Sequence, residues 1–157
     1  LGALKEEYMK KIGDYAQEMN IEPDEVPAYF VNMLQAAFEI REQASSSQNR
    51  KLISRAIAYI DENYMHDSLS LNTVAAEAEV SANYLSAVFS QSMKKTVVEY
   101  VTEKRMEKAK KLLKSTSLSS GEIAARTGYK DSHYFSFVFK KTQGMSPREY
   151  RAARKEQ

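Results

Sequence analysis

The chain has no cysteine in 157 residues. That excludes disulfides, zinc–thiolate sites and thiol nucleophiles. Two histidines are too few to build a metal site in their place, so neither a metal nor a cofactor is expected. Five glycines and three prolines are a small number for this length, and no segment alternates polar and apolar residues with a period of two, so strands are not expected. No apolar run approaches the roughly 18 residues of a membrane span, and no signal peptide opens the chain. Membrane contact by this segment is therefore not expected, and the cytoplasm suits it. A Gly-rich phosphate loop, a metal-ligand cluster and a nucleophile–base pair are also missing. No catalytic residue is assigned, and an enzyme is not expected. The chain opens on Leu1 rather than Met, which suggests a piece of a longer protein.

The charge that is there is unevenly spread. Residues 1–50 hold five Lys/Arg against nine Asp/Glu, net −4, and residues 51–157 hold eighteen against twelve, net +6, which together make the +2 of the whole. A basic half suits a polyanionic partner; a solvated basic surface is the plain alternative.

Ala, Lys, Glu and Leu dominate, and apolar residues recur at spacings of three and four. The pattern predicts helices throughout. The first covers about 3–19, ended by the two prolines of IEPDEVP (21–27); a second covers about 24–43. ASSSQN (44–49) reads as a linker, and a third helix spans about 50–64. Ser70 or Asn72 can cap a short helix containing TVAAEAE, and a long helix follows at about 96–114. Ser119 with Glu122 is a capping box for a short helix that stops at Gly128. KDSHYFSFVFKK is the next helix, and Pro147 opens a last short one.

Two of these segments repeat each other. Tyr84, Leu85, Ser86, Val88, Phe89 and Tyr100 fall fifty residues before Tyr134, Phe135, Ser136, Val138, Phe139 and Tyr150. Val74, Ala75, Ala76 and Val80 fall forty-nine before Ile123, Ala124, Ala125 and Tyr129, so the second copy has one extra turn residue. Each copy reads as a short helix, a brief turn and a second helix that buries a Tyr/Phe/Val stripe, a helix-turn-helix whose remaining face is left for a major groove. Ala75 and Ala124 are the small residues where the two helices meet. Tyr134, Phe135, Val138 and Phe139 are assigned to the core.

EIAARTGYKDSHYFSFVFKKTQGMSPREYR and SLNTVAAEAEVSANYLSAVF…EYVTEKRMEKAKKLL together resemble the DNA-binding domain of AraC/XylS-family transcription regulators, over residues 51–152. The resemblance implies an all-α fold: two helix-turn-helix subdomains (about 70–93 and 119–142) joined by a long connecting helix (about 96–114). Together these make a domain over 50–157. It also implies a sequence-specific reader of double-stranded DNA with recognition helices at 81–91 and 131–141. Base edges would be met by Ser81, Ala82, Asn83, Ser86 and Ala87 on the first, and by Asp131, Ser132, His133, Ser136 and Phe137 on the second. Asn83 can bind adenine with two hydrogen bonds, and Ala87 or Phe137 can touch a thymine methyl. Phosphates would be met by Lys94, Lys95, Lys140, Lys141, Arg148 and Arg151. Lys104, Arg105, Lys108, Lys110, Lys111 and Lys114 on the connecting helix alternate in part with Glu103 and Glu107, and read as a salt-bridged face, with Arg105 paired internally.

The chain departs from the family pattern at three kinds of position. Ala87 and Phe137 stand where an arginine that reads guanine is frequent, which favours A·T-rich sites or, for Phe137, a contact with another domain. Lys94 and Glu79 stand where the second copy has Gly144 and Gly128, so looser turns are expected in the first module.

Residues 1–43 lie outside the repeat. They read as an acidic helical hairpin that resembles the connector of AraC-type response regulators, placed between an upstream sensor or receiver domain and the DNA-binding domain. A homodimer through 1–43 and a contact with RNA polymerase belong to the same expectation. The competing reading is a helical protein-interaction module with only non-specific DNA binding.

Overall fold

The computed structural model describes residues 6, 7, 9–11, 14 and 28–153, and every regular element among them is a helix. The elements are α1 (Ala28–Asn63), α2 (Leu71–Glu77), α3 (Ala82–Met93), α4 (Val97–Ser115), α5 (Ser120–Arg126), α6 (Ser132–Gln143) and α7 (Pro147–Ala152). Two compact units divide the chain, Leu1–Lys51 and Leu52–Gln157.

In the first unit, residues 6, 7, 9–11 and 14 are helical, and Lys11 pairs with Glu7 at 3.2 Å. The rest of the helix expected over 3–19, and the proline-bounded turn at 21–27, lie outside the described residues. Val31, Leu34 and Phe38 are half-buried, and no described side chain of this unit is fully buried. The break expected at 44–49 is not present: α1 runs through ASSSQN without interruption. That stretch holds neither glycine nor proline. Exposed Ser45, Ser46 and Ser47 each weaken a helix by only about 0.5 kcal/mol relative to alanine.

The second unit has two cores. Ile53, Ala56 and Ile60 at the end of α1 meet Val74 and Ala75 of α2, Leu85, Val88 and Phe89 of α3, and Val97 and Val101 at the start of α4. Met106, Ala109 and Leu113 further along α4 meet Ile123 and Ala124 of α5, Tyr129, and Phe135 and Phe139 of α6. The duplication therefore reaches further back than the repeat itself. Ile53, Ala56 and Ile60 sit fifty-three residues before Met106, Ala109 and Leu113. In each set the spacing of three and four puts the residues on one stripe of a helix. The central alanines, 1% and 0% exposed, let neighbouring elements come close.

The ring pairs repeat as well. Phe89 meets Tyr100 edge-on at 5.7 Å and 71°, and Phe139 meets Tyr150 edge-on at 5.5 Å and 78°. α7 is thus the second copy of the first turns of α4. Both open on a capping box, Thr96 with Glu99 and Ser146 with Glu149, and buried Pro147 takes the place of Val97.

α4 serves both cores, and Arg105 on it fastens them. Its Nε donates to the Tyr64 carbonyl at 2.8 Å and its Nη2 to the His66 carbonyl at 2.9 Å. These carbonyls lie just past the end of α1, where helix carbonyls favour a cation. The guanidinium also lies over the Tyr129 ring, 5.1 Å from its centre. Burial lowers the Arg105 pKa, yet an arginine stays charged at neutral pH. The internal pairing expected of Arg105 is therefore with carbonyls and a ring. A second link, Lys130 to Asp67 at 3.3 Å, uses the extra turn residue of the second copy.

Candidate nucleic-acid interface

Each module is held by the same sequence of local bonds. Ser70 caps α2 and exchanges side-chain bonds with Thr73; Ser119 caps α5 and does so with Glu122. Across the turn, the Val80 amide donates to the Ala75 carbonyl at 3.0 Å, and the Tyr129 amide to the Ala124 carbonyl at 2.9 Å. Ser81 Oγ accepts the Tyr84 amide at 3.2 Å to start α3. Asp131 Oδ1 accepts the Tyr134 and His133 amides at 2.8 and 2.7 Å to start α6. Those amides hold the Asp131 carboxyl below its usual range, Tyr134 first.

The turns do not differ in the way the missing glycines suggest. Glu79 and Gly128 both have positive φ, 59° and 83°, and so do Lys94 and Gly144, 57° and 80°. The first module has the same left-handed turns, not looser ones. Two ordinary residues adopt them, at a steric cost of roughly 1–2 kcal/mol each. Gly128 is required twice over. A Cβ there would lie 2.8 Å from the Tyr64 carbonyl oxygen and 2.9 Å from the Arg105 guanidinium, whereas one on Gly144 would meet nothing within 4 Å.

These frames leave a matching face on each recognition helix. Leu85, Val88 and Phe89 point into the first core, and Phe135 and Phe139 into the second. Ser81, Asn83 and Ala87 are exposed and Ala82 and Ser86 half-exposed on α3 and its cap; Asp131, His133 and Phe137 are exposed and Ser132 and Ser136 half-exposed on α6 and its cap. Asn83 with Ala87, and His133 with Phe137, stand four apart and so share one face. Their partners are not all alike. Ser81 and Asp131 are occupied in capping, and Ser136 Oγ donates to the Ser132 carbonyl at 2.8 Å, which leaves its oxygen as an acceptor. The side chains of Asn83, Ala87, His133 and Phe137 are exposed and take no part in the caps.

The basic residues separate more sharply. Lys94, Lys140, Lys141 and Arg148 are exposed at the far ends of α3 and α6 and the start of α7. Lys95 is half-buried and pairs with Glu103 at 2.6 Å. Arg151, expected on a phosphate, is turned inward. Its Nη2 donates to the Leu118 carbonyl at 2.5 Å and its Nε to the Leu113 carbonyl at 3.4 Å, which ties α7 to the end of α4. On the connecting helix Lys104 pairs with Asp61 at 2.9 Å, which raises its pKa, and Lys110 with Glu107 at 2.5 Å.

One further correction concerns the aromatic stripe. Tyr134, assigned to the core, is 59% exposed, and its counterpart Tyr84 is 46% exposed. Tyr134 stacks on Phe137, itself 62% exposed, with ring centres 6.5 Å apart. The signal was present, since Tyr134 lies three residues before Phe137 and so beside it on a helix. Among the described residues no group of three or more His, Asp or Glu is placed to hold a metal ion, and no helix is long and apolar enough to cross a membrane.

Comparison with known proteins places this geometry. The helix-turn-helix domain family matches residues 74–153. The melibiose operon regulatory protein of Escherichia coli K12 is 35% identical over 99 residues, 63% of this chain and 32% of that protein. The chain thus spans about a third of that regulator's length. The C-terminal domain of AraT, a response regulator from Geobacillus stearothermophilus, superposes with a TM-score of 0.64 at 42% identity, covering 65% of this chain and 84% of that one. The DNA-binding domain of the global transcriptional factor AdpA, in complex with a target DNA, superposes with a TM-score of 0.61 at 25% identity, covering 64% and 90%.

Proposed function

The chain belongs to the AraC-type helix-turn-helix family of transcription regulators, and from that we propose that residues 52–153 read a specific site on duplex DNA. α3 and α6 each enter the major groove, about one helical turn apart. The observation that carries this reading is the duplicated frame. Two side-chain-capped recognition helices with the same turns and edge-on ring pairs each present a short face to solvent, and exposed cations flank them. Asn83 is suited to adenine and His133 to a base acceptor or a phosphate, while Ser86 and Ser136 accept bonds from base edges. Lys94, Lys140, Lys141 and Arg148 bind phosphates. Arg151 supports the fold instead, and the paired cations of α4 contribute little.

The chain acts as a regulator rather than as an enzyme, in the cytoplasm where the chromosome is. Residues 1–43 serve as the connector to a sensor or receiver domain on the same polypeptide and as a candidate dimer contact. Contact with RNA polymerase would follow from promoter binding.

The test is affinity selection from a random duplex library with the 157-residue chain, followed by titration of the selected site against salt. Two short conserved blocks about one turn apart are expected. The four cations assigned to phosphates predict a log–log salt slope of about −3.6, at roughly 0.9 per phosphate, and each replacement by glutamine should remove about 0.9. Recovery of no enriched sequence, with binding lost at moderate salt, would overturn the reading in favour of a helical interaction module.

A further inference from the structure

We propose that, granted duplex-DNA reading by this chain, the second recognition helix selects thymine by its methyl group. Phe137 is the contacting ring, and Tyr134 is the ring that holds it in place.

Phe137 lies on the outward face of α6, four residues after His133. At 62% exposure it leaves most of a phenyl ring in water, which a folded domain gains nothing by doing. The ring is not loose. It stacks on Tyr134 at 26°. Tyr134 in turn lies 6.1 Å from Tyr129, which is buried against Phe135 at 5.5 Å and beneath the Arg105 guanidinium. The outermost ring is therefore braced through a row of rings to the core. It offers a flat apolar surface that a neighbouring ring supports on one side.

What surrounds the ring says what it meets. His133 and Ser136 supply hydrogen-bonding groups on the same helix, and exposed Lys140 and Lys141 supply positive charge in its last turn. An apolar partner protein would meet this cationic rim at a cost, whereas DNA phosphates match it. In the major groove the one apolar group on a base edge is the thymine methyl, next to the O4 acceptor. A phenyl ring has no donor for guanine. The position fifty residues earlier is Ala87, whose single methyl has no brace, so the ring-based selection belongs to the second block of the site alone.

Deoxyuridine tests this, because it lacks the methyl and keeps every hydrogen-bonding group of thymine. The selected duplex is remade with each thymine replaced in turn, and binding of the whole chain is measured. The block read by α6 is identified as the one whose consensus changes when the selection is repeated with Phe137→Arg, where guanine should replace thymine. Within it, one or two uracils should weaken binding about fourfold, the value of one buried methyl. With Phe137→Ala the thymine-to-uracil ratio should fall to about one, and with Tyr134→Ala it should fall part of the way. Both side chains are exposed, so the melting temperature should hold in both variants. A ratio of one at every thymine of that block, or a ratio unchanged in Phe137→Ala, would overturn the proposal while leaving DNA reading intact. A library that enriches no sequence would remove DNA reading itself. Loss of no DNA affinity at all in Phe137→Ala would assign the ring pair to a protein contact instead.

Discussion

The two helix-turn-helix modules share a frame and differ in what fills it. Caps, left-handed turns and edge-on ring pairs recur forty-nine or fifty residues apart. Yet the first module reaches its two positive-φ turns with Glu79 and Lys94, and the second with glycines. The first presents Ala87 where the second presents the Tyr134–Phe137 stack. The difference teaches that the turn geometry is imposed by the packing on either side of it. Glycine is indispensable only where another group occupies the space a Cβ would take. At Gly128 those groups are the Tyr64 carbonyl and Arg105, the residue that joins the modules.

The strongest way to break the likeness is to empty one core at a time. Phe89→Ala and Phe139→Ala remove equivalent, fully buried rings, and each should cost about 3–5 kcal/mol. Amide exchange should show the larger loss of protection in the mutated module, because the two cores share no buried side chain. Equal loss in both would mean that α4 transmits the damage whole.

Gly128→Ala is next, at about 3 kcal/mol, from positive φ together with displacement of Arg105 or the Tyr64 carbonyl. Gly144→Ala should cost only about 1 kcal/mol, since its Cβ has room. Urea unfolding of the pair separates strain from clash, and equal costs would refute the role given to Arg105. In the first module the sign reverses. Lys94→Gly should stabilise by about 0.5–1 kcal/mol, the strain relieved less the backbone entropy of glycine.

The smallest effect concerns acid. The Glu99, Glu122 and Glu149 carboxylates each accept the backbone amide of their own cap residue, which holds their pKa values below 4.5. A lowered folded pKa adds stability that is present above the unfolded value and is lost as pH falls through the folded one. Stability should therefore be flat at neutral pH and decline below about pH 4.5. The triple variant to glutamine should show a shallower acid limb in melting experiments. Two of these boxes, Glu99 and Glu149, are equivalent, so their single variants should match.

Most of this organisation was legible in the residues. The repeat, the cores around Phe89 and Phe139, the Ser119–Glu122 box and the stop at Gly128 depend on periodicity and on neighbours within one or two turns. The misreadings share a cause. ASSSQN looked like a break because serine is common in linkers, but nothing in it forbids a helix. Tyr134 looked like core because its neighbours Phe135 and Phe139 are, and its spacing of three from the outward Phe137 was given no weight beside theirs. Arg151 looked like a phosphate ligand because an arginine's letter does not show whether backbone carbonyls, here those of Leu113 and Leu118, already engage it.

The sequence alone determined that the repeated region is helical and duplicated and that Phe89 and Phe139 lie in its two cores, because helical period and apolar spacing are local properties. Tertiary structure decided which cations remain available and which rings face out. Arg105 and Arg151 bind carbonyls forty-one and thirty-eight residues away, and only the fold brings such groups within reach of each other.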